Sequence, residues 1–189
     1  MWRKLAATVI VVSVVGCGGG DAPPEQAADT NTTADTAATA SRSLYDRLGG
    51  ISAITMVIDS FIARAAADVR INKKFAKTDV PRLRFHLIEQ VCDVTGGPCD
   101  YTGRDMPTAH RNMGVTDGEF DALVEDLTAT LDQVGVPATE KNELLGILGP
   151  LRGQIVTTQG SATGTALPGS FQPASPLDSA KLQAGPTRR

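Results

Sequence analysis

The chain holds two histidines, His86 and His110, and both stand where an imidazole could bind a metal or a haem iron. His110 closes the run Gly96-Gly97-Pro98-Cys99-Asp100-Tyr101-Thr102-Gly103-Arg104-Asp105-Met106-Pro107-Thr108-Ala109-His110, a glycine-built turn that leads into a short helical turn. Taken alone, a histidine in such a turn is more often structural than ligating. His86 alters the weighing, because it lies in the preceding helical segment, Pro81 to Val94. Two imidazoles on neighbouring elements would then come within reach of one cofactor.

The elements that would position them are helices. Ile51, Ile54, Val57, Ile58, Phe61 and Ile62 recur at helical spacing behind Gly49-Gly50, after a short turn at Leu44 to Leu48. Leu83, Leu87, Ile88, Val91 and Val94 give the next apolar face, with Pro81 placed for a first helical turn. Thr116 and Glu119 form a Thr-x-x-Glu capping box, and Phe120, Leu123, Val124, Leu127, Leu131 and Val134 carry one stripe behind it. Pro137 breaks the chain, and a last helix should turn Leu144, Leu145, Leu148, Leu151 and Ile155 inward. No alternating strand pattern competes, so the spacing predicts an all-α domain with its two C-terminal helices antiparallel and the earlier pair packed across them. The chain has five Phe, two Tyr and one Trp, the last within the N-terminal apolar region, so a bound apolar cofactor would help to fill such a core.

The ends differ from this middle. Residues 1–16 read as a secretory signal: Arg3 and Lys4 precede an apolar run, Leu5 to Val15, that is short for a bilayer span. Val14-Val15-Gly16-Cys17 resembles the bacterial lipoprotein motif, in which the cysteine is lipidated; the alternative is an ordinary signal with an incidental cysteine. Acyl chains on Cys17 would anchor an exported domain to a membrane, facing the periplasm or the cell exterior. Residues 17–42 are rich in Ala, Thr, Asp and Gly and predict a disordered tether, and residues 159–189 share enough of that bias to predict a disordered tail. The folded domain is thus expected over 43–158. Loss of the signal would take the basic count from 18 to 16 against 21 acids, which makes nucleic acid a poor partner. Cys92 and Cys99 flank the Thr95-Gly96-Gly97-Pro98 turn. In an oxidising compartment that placement favours a disulfide over two buried free thiols.

Several motifs in one order carry a resemblance. Ser43-Leu44-Tyr45-Asp46-Arg47-Leu48-Gly49-Gly50, Gly96-Gly97-Pro98, Tyr101-Thr102-Gly103, Met106-Pro107-Thr108-Ala109-His110 and Met113-Gly114-Val115-Thr116-Asp117-Gly118-Glu119-Phe120 resemble the group 1 truncated haemoglobins, from Ser43 to about Val156. The resemblance implies a two-over-two helical sandwich holding haem b. His110 then matches the proximal iron ligand, and Phe75 the phenylalanine that packs on the porphyrin face. Phe61, Leu83, Leu87, Met106, Val115, Phe120 and Leu123 fall where the family lines its haem pocket, although each would also serve as plain core. Arg82, Arg104 and Arg111 are near enough in sequence to meet haem propionates, or to be solvated.

On the distal side the chain departs from its relatives. Ile62 stands where the family commonly has tyrosine, and Leu83 and Leu87 stand where many members have glutamine or another donor. His86 is left as the polar distal candidate, and the resemblance implies bis-histidyl haem; the other roles open to it are a propionate or solvent partner and a donor to bound ligand. The expected function is binding of oxygen, nitric oxide or carbon monoxide, or electron transfer with an unidentified redox partner. A nitric oxide dioxygenase or peroxidase-like enzyme is the alternative, and a non-haem helical adaptor lipoprotein the remote one.

Overall fold

The computed structural model describes residues 42–186. The signal segment 1–16, Cys17 and the linker up to residue 41 lie outside the described residues. Helix α1 (Leu44–Arg47) starts at Ser43, whose hydroxyl accepts the Asp46 N–H. It is held to the end of the third helix by a hydrogen bond from the Tyr45 N–H to the Thr95 carbonyl. Gly49 and Gly50 both take positive φ, 95° and 71°, and so turn the chain into α2 (Gly50–Ala67). A 3₁₀ turn over Asn72–Phe75 leads to α3 (Val80–Val94), which Asp79 caps by accepting the Arg82 N–H; Pro81 sits in the first turn, where a missing N–H removes no helical hydrogen bond.

The second half begins with α4 (Met106–His110) and α5 (Asp117–Gln133). Both halves of the expected capping box form at Thr116 and Glu119. The expected last helix is not continuous: α6 (Ala138–Leu148) passes through a 3₁₀ turn at Gly149–Leu151 into a short α7 (Arg152–Ile155). Pro150 is the physical reason, since it has no N–H to donate and its ring crowds the preceding turn. Arg47 pairs with Glu140 and Glu143, which joins α1 to α6.

The main core lies between α2, α3, α5 and α6, where Ile54, Ile58, Ile88, Val91, Cys92, Leu131 and Leu144 are buried. Each such aliphatic side chain contributes about 1.5–3 kcal/mol on leaving water. A second cluster gathers Met113, Val115, Phe120, Ile155 and Phe171. Among the described residues there is no strand, and Thr116 and Thr158 form an isolated parallel bridge. The architecture is an all-helical sandwich, as the spacing predicts. Cys92 and Cys99 are joined in a disulfide, with Cα atoms 5.7 Å apart. Between them a side chain at Gly97 would overlap the Cys92 carbonyl and the Tyr45 ring, so the turn closes only on glycine.

The tail corrects the expectation of disorder over 159–189. Its described part packs on the domain, buries Phe171 to 7 % exposure, and forms a final helix, α8 (Ser179–Ala184), against α3. Composition underestimated it because hydrogen bonds replace apolar bulk. The Thr116 hydroxyl donates to the Ala162 carbonyl, Asp117 accepts the Gly160 N–H, and Glu119 accepts both the N–H and the hydroxyl of Thr165. Gly118 lets this strand of chain pass directly over α5, where any Cβ would overlap the Ser161 carbonyl.

Candidate functional site

A cavity of about 300 Å³ opens between α2, α3, α4, α5 and the α6–α7 turn. Of the residues expected to line a cofactor, Phe61, Phe75, Leu83, Leu87, Met106, Phe120 and Leu123 form its wall, and His86 and His110 face it from opposite elements. Val115 does not reach it. Its side chain packs in the second core cluster with Met113 and Phe120 instead, although Met113, two residues earlier, does line the wall. Ile62 also points elsewhere: a helix rotates about 100° per residue, so with Phe61 on the wall its neighbour turns into the main core.

The two imidazoles are held in the same way. Asp105 caps α4 by accepting the Thr108 N–H, and His110 ends that helix with Nδ1 2.9 Å from the Met106 carbonyl oxygen. A carbonyl can only accept, so Nδ1 carries the proton and Nε2 keeps its lone pair. His86 has Nδ1 3.1 Å from the Glu89 carboxylate, which fixes the same tautomer. Its Nε2 is buried and without a hydrogen-bond partner. Burial pushes both imidazoles below their ordinary pKa; it outweighs Met106 at His110, and outweighs the Glu89 hydrogen bond at His86. Both are therefore neutral near pH 7, with the proton on Nδ1 and the lone pair on Nε2.

The other polar groups at the cavity are already committed or stand at its rim. Tyr101 donates its hydroxyl to the Arg104 carbonyl at 2.7 Å, and Gln90 lies with Nε2 3.9 Å from the Met106 sulfur. Arg82 and Arg104 reach the cavity, whereas Arg111 lines a separate shallow depression with Pro107 and Asn112. Sequence reasoning missed the contributions of Leu145, Leu148, Leu151 and Ile155 as wall residues, and those of Phe171, Pro173 and Ala174 from the C-terminal segment. The helical spacing marked the first four as inward-facing without saying toward what. No group of three or more His, Cys, Asp or Glu side chains is arranged to bind a bare metal ion among the described residues. The arrangement suits a large apolar ligand that carries a metal able to bind imidazole nitrogen.

The bacterial-like globin family model matches residues 43–157. A group 1 truncated haemoglobin of Mycolicibacterium paratuberculosis is 35% identical over 115 residues, covering 61% of this chain and 85% of that protein. Its counterpart in a Synechocystis species is 37% identical over 110 residues, covering 56% and 89%. Among solved structures, the Fe(III) form of the Tetrahymena pyriformis truncated haemoglobin superposes with a TM-score of 0.59 at 30% identity, over 61% of this chain and 98% of that one. The cyanomet 2/2 haemoglobin of a Synechococcus species, with covalently attached haem, gives 0.57 at 32% identity, over 60% and 95%.

Proposed function

Because the chain belongs to the bacterial-like globin family and is a haem-binding truncated haemoglobin, we propose that its iron is held between His110 on the proximal side and His86 on the distal side. The observation that carries this reading is the buried, unpartnered Nε2 of His86 at the cavity wall. A buried nitrogen lone pair without a donor costs about 1–3 kcal/mol. Coordination of that nitrogen by a bound haem would remove that cost. The donor set fits haem throughout: two neutral imidazoles with Nε2 free, an apolar wall that includes Phe61, Phe75 and Phe120, and two arginines at the rim to meet carboxylates.

Haem supplies reversible binding of small diatomic ligands and one-electron exchange. The protein's share is orientation and exclusion. Met106 and Glu89 hold the imidazoles in the ligating tautomer, and the aliphatic wall keeps water from the iron. With haem held by both histidines, His86 would compete with a diatomic ligand, and affinity would fall with the fraction of time it vacates the site. Leu83 and Leu87 offer no hydrogen bond to a bound ligand. Electron transfer with a redox partner, or ligand sensing, suits such a site better than bulk oxygen carriage. Residues 1–17 support a further reading, that the domain is exported and tethered to a membrane through lipid on Cys17, facing the periplasm or the exterior.

A visible spectrum of the purified protein tests the ligation. Two imidazoles impose a strong axial field, so ferric and ferrous forms should both be low-spin, and His86→Leu should leave a five-coordinate ferrous haem. A wild-type ferrous spectrum that is high-spin at neutral pH and unchanged by His86→Leu would refute bis-histidyl ligation.

A further inference from the structure

Residues beyond 157 lie outside the family match, yet they contact the cavity and the residues behind it. Residues 160–165 are fastened to α5 by the hydrogen bonds already described. The following stretch crosses the cavity edge. Phe171, Pro173 and Ala174 enter the wall, and the Ser175 carbonyl accepts from Arg82 at 3.2 Å. Helix α8 then settles on α3, where Lys181 Nζ lies 5.4 Å from the centroid of the Phe85 ring and donates to the Thr102 hydroxyl at 2.9 Å.

That last contact begins a chain of hydrogen bonds. Thr102 has a single hydroxyl proton, and with its oxygen accepting from the Lys181 ammonium it donates to Glu89 Oε2 at 2.8 Å. The Thr102 N–H meets the same oxygen at 3.1 Å, and so does His86 Nδ1. Glu89 is 0 % exposed. A carboxylate so buried holds its place only while donors compensate it; His86 and Thr102 donate to it here, and Lys181 in turn holds the Thr102 hydroxyl. The bonds converge on Glu89, which accepts from Thr102, itself held by Lys181 of the C-terminal helix, on one side and from the imidazole on the other.

We propose that Glu89 is the positioning residue of the distal imidazole, and that the C-terminal segment, acting through Lys181 and Thr102, is a strap that keeps His86 Nε2 aimed at the iron. The proposal rests on the reading that His86 ligates. When the strap is docked, the imidazole has one orientation. When Lys181 withdraws, Thr102 is free to turn, Glu89 loses part of its compensation, and His86 swings away more readily. Ligand entry is thereby governed from a segment added to the globin core.

The test uses the full-length ferrous haem protein and carbon monoxide as the probe. Lys181→Met, which keeps the stem over Phe85, and Thr102→Val are each made in the natural background and in His86→Leu. Removal of a charge-assisted hydrogen bond should speed carbon monoxide binding by about fivefold or more where His86 is present. In His86→Leu the same changes should leave the rate within about twofold. Hydrogen exchange at the Thr102 amide, independent of ligand binding, should quicken in Lys181→Met. Equal acceleration in both backgrounds would overturn the proposal, because the segment would then only obstruct the cavity. Unchanged rates in a protein that is low-spin would overturn it alone. A high-spin wild type indifferent to His86→Leu would instead bring down the ligation reading first, and the proposal with it.

Discussion

Lys74 Nζ stands 3.4 Å from Glu119 Oε2, and both side chains are almost wholly removed from water, at 5 % and 1 % exposure. The ammonium also donates to the carbonyls of Met113 and Gly114, at 3.0 and 2.9 Å, and the other carboxylate oxygen of Glu119 accepts from Thr165. One buried pair thus joins the 3₁₀ turn before α3, the start of α5 and the C-terminal segment.

Acid should release that segment before the core unfolds. Burial alone would raise the Glu119 pKa, but hydrogen bonds from Thr165 and Thr116 and the Lys74 charge outweigh it and hold the carboxyl below its ordinary value. At Asp117 the Gly160 N–H, followed by Arg152, acts in the same direction. A depressed folded-state pKa gives stability that is complete above the ordinary carboxylate range and is lost as pH falls through the folded value. Limited proteolysis should therefore leave residues 160–186 intact at neutral pH and cut them once acid has protonated Glu119 and Asp117. Gly118→Ala, which overlaps the Ser161 carbonyl, should open the same sites at neutral pH, at a cost of about 1–3 kcal/mol. Equal cleavage at neutral and acid pH would count against this anchoring.

His110→Ala should lose haem to an acceptor globin at least about tenfold faster than the natural protein, a difference worth about 1.4 kcal/mol or more. Met106 would keep its carbonyl, but no nitrogen would remain on α4 to meet iron. Transfer at the natural rate with an unaltered spectrum would remove His110 from the proximal role.

The elements were legible where side chains set them. Thr116 with Glu119, Pro81, and the paired Gly49-Gly50 each gave a boundary that the fold keeps. The cavity was legible in part, because helical spacing combined with resemblance put Phe61, Leu83, Leu87 and both histidines on one space. Val115 and Ile62 lay beyond such reasoning, since a rotation of one residue along the chain decides which side of a wall a side chain serves. Glu89 was hidden for a different reason: an acid in an amphipathic helix reads as a solvated face until its donors from Thr102 and His86 are seen. The C-terminal segment has Phe171 as its single aromatic residue and docks through backbone groups, which carry no sequence signal.

The reading of Cys17 as a lipid attachment site predicts that the full-length precursor takes up labelled fatty acid and partitions into detergent, and that Cys17→Ser does neither. Acylation of the Cys17→Ser protein, or a natural protein that stays entirely in the aqueous phase, would rule out the anchor.

Opening the disulfide should loosen the turn that carries Thr102. Closure of a loop with a sequence separation of 7 corresponds to about 2.5 kcal/mol by chain entropy, so Cys92→Ser with Cys99→Ser should lower the free energy of unfolding by about that amount in a urea titration. Coincident unfolding curves for the two forms would show that the bridge adds nothing to the Gly97 turn.

Phe171, Pro173 and Ala174 complete a cavity whose other walls are built entirely from residues that precede them in the chain. The order of synthesis is therefore also an order of assembly. Once Ile155 has emerged, the globin core holds every ligand and nearly every wall residue, while the edge that Phe171, Pro173 and Ala174 will cover still stands open. The last stretch of polypeptide then covers that edge. The protein carries its own stopper, delivered late.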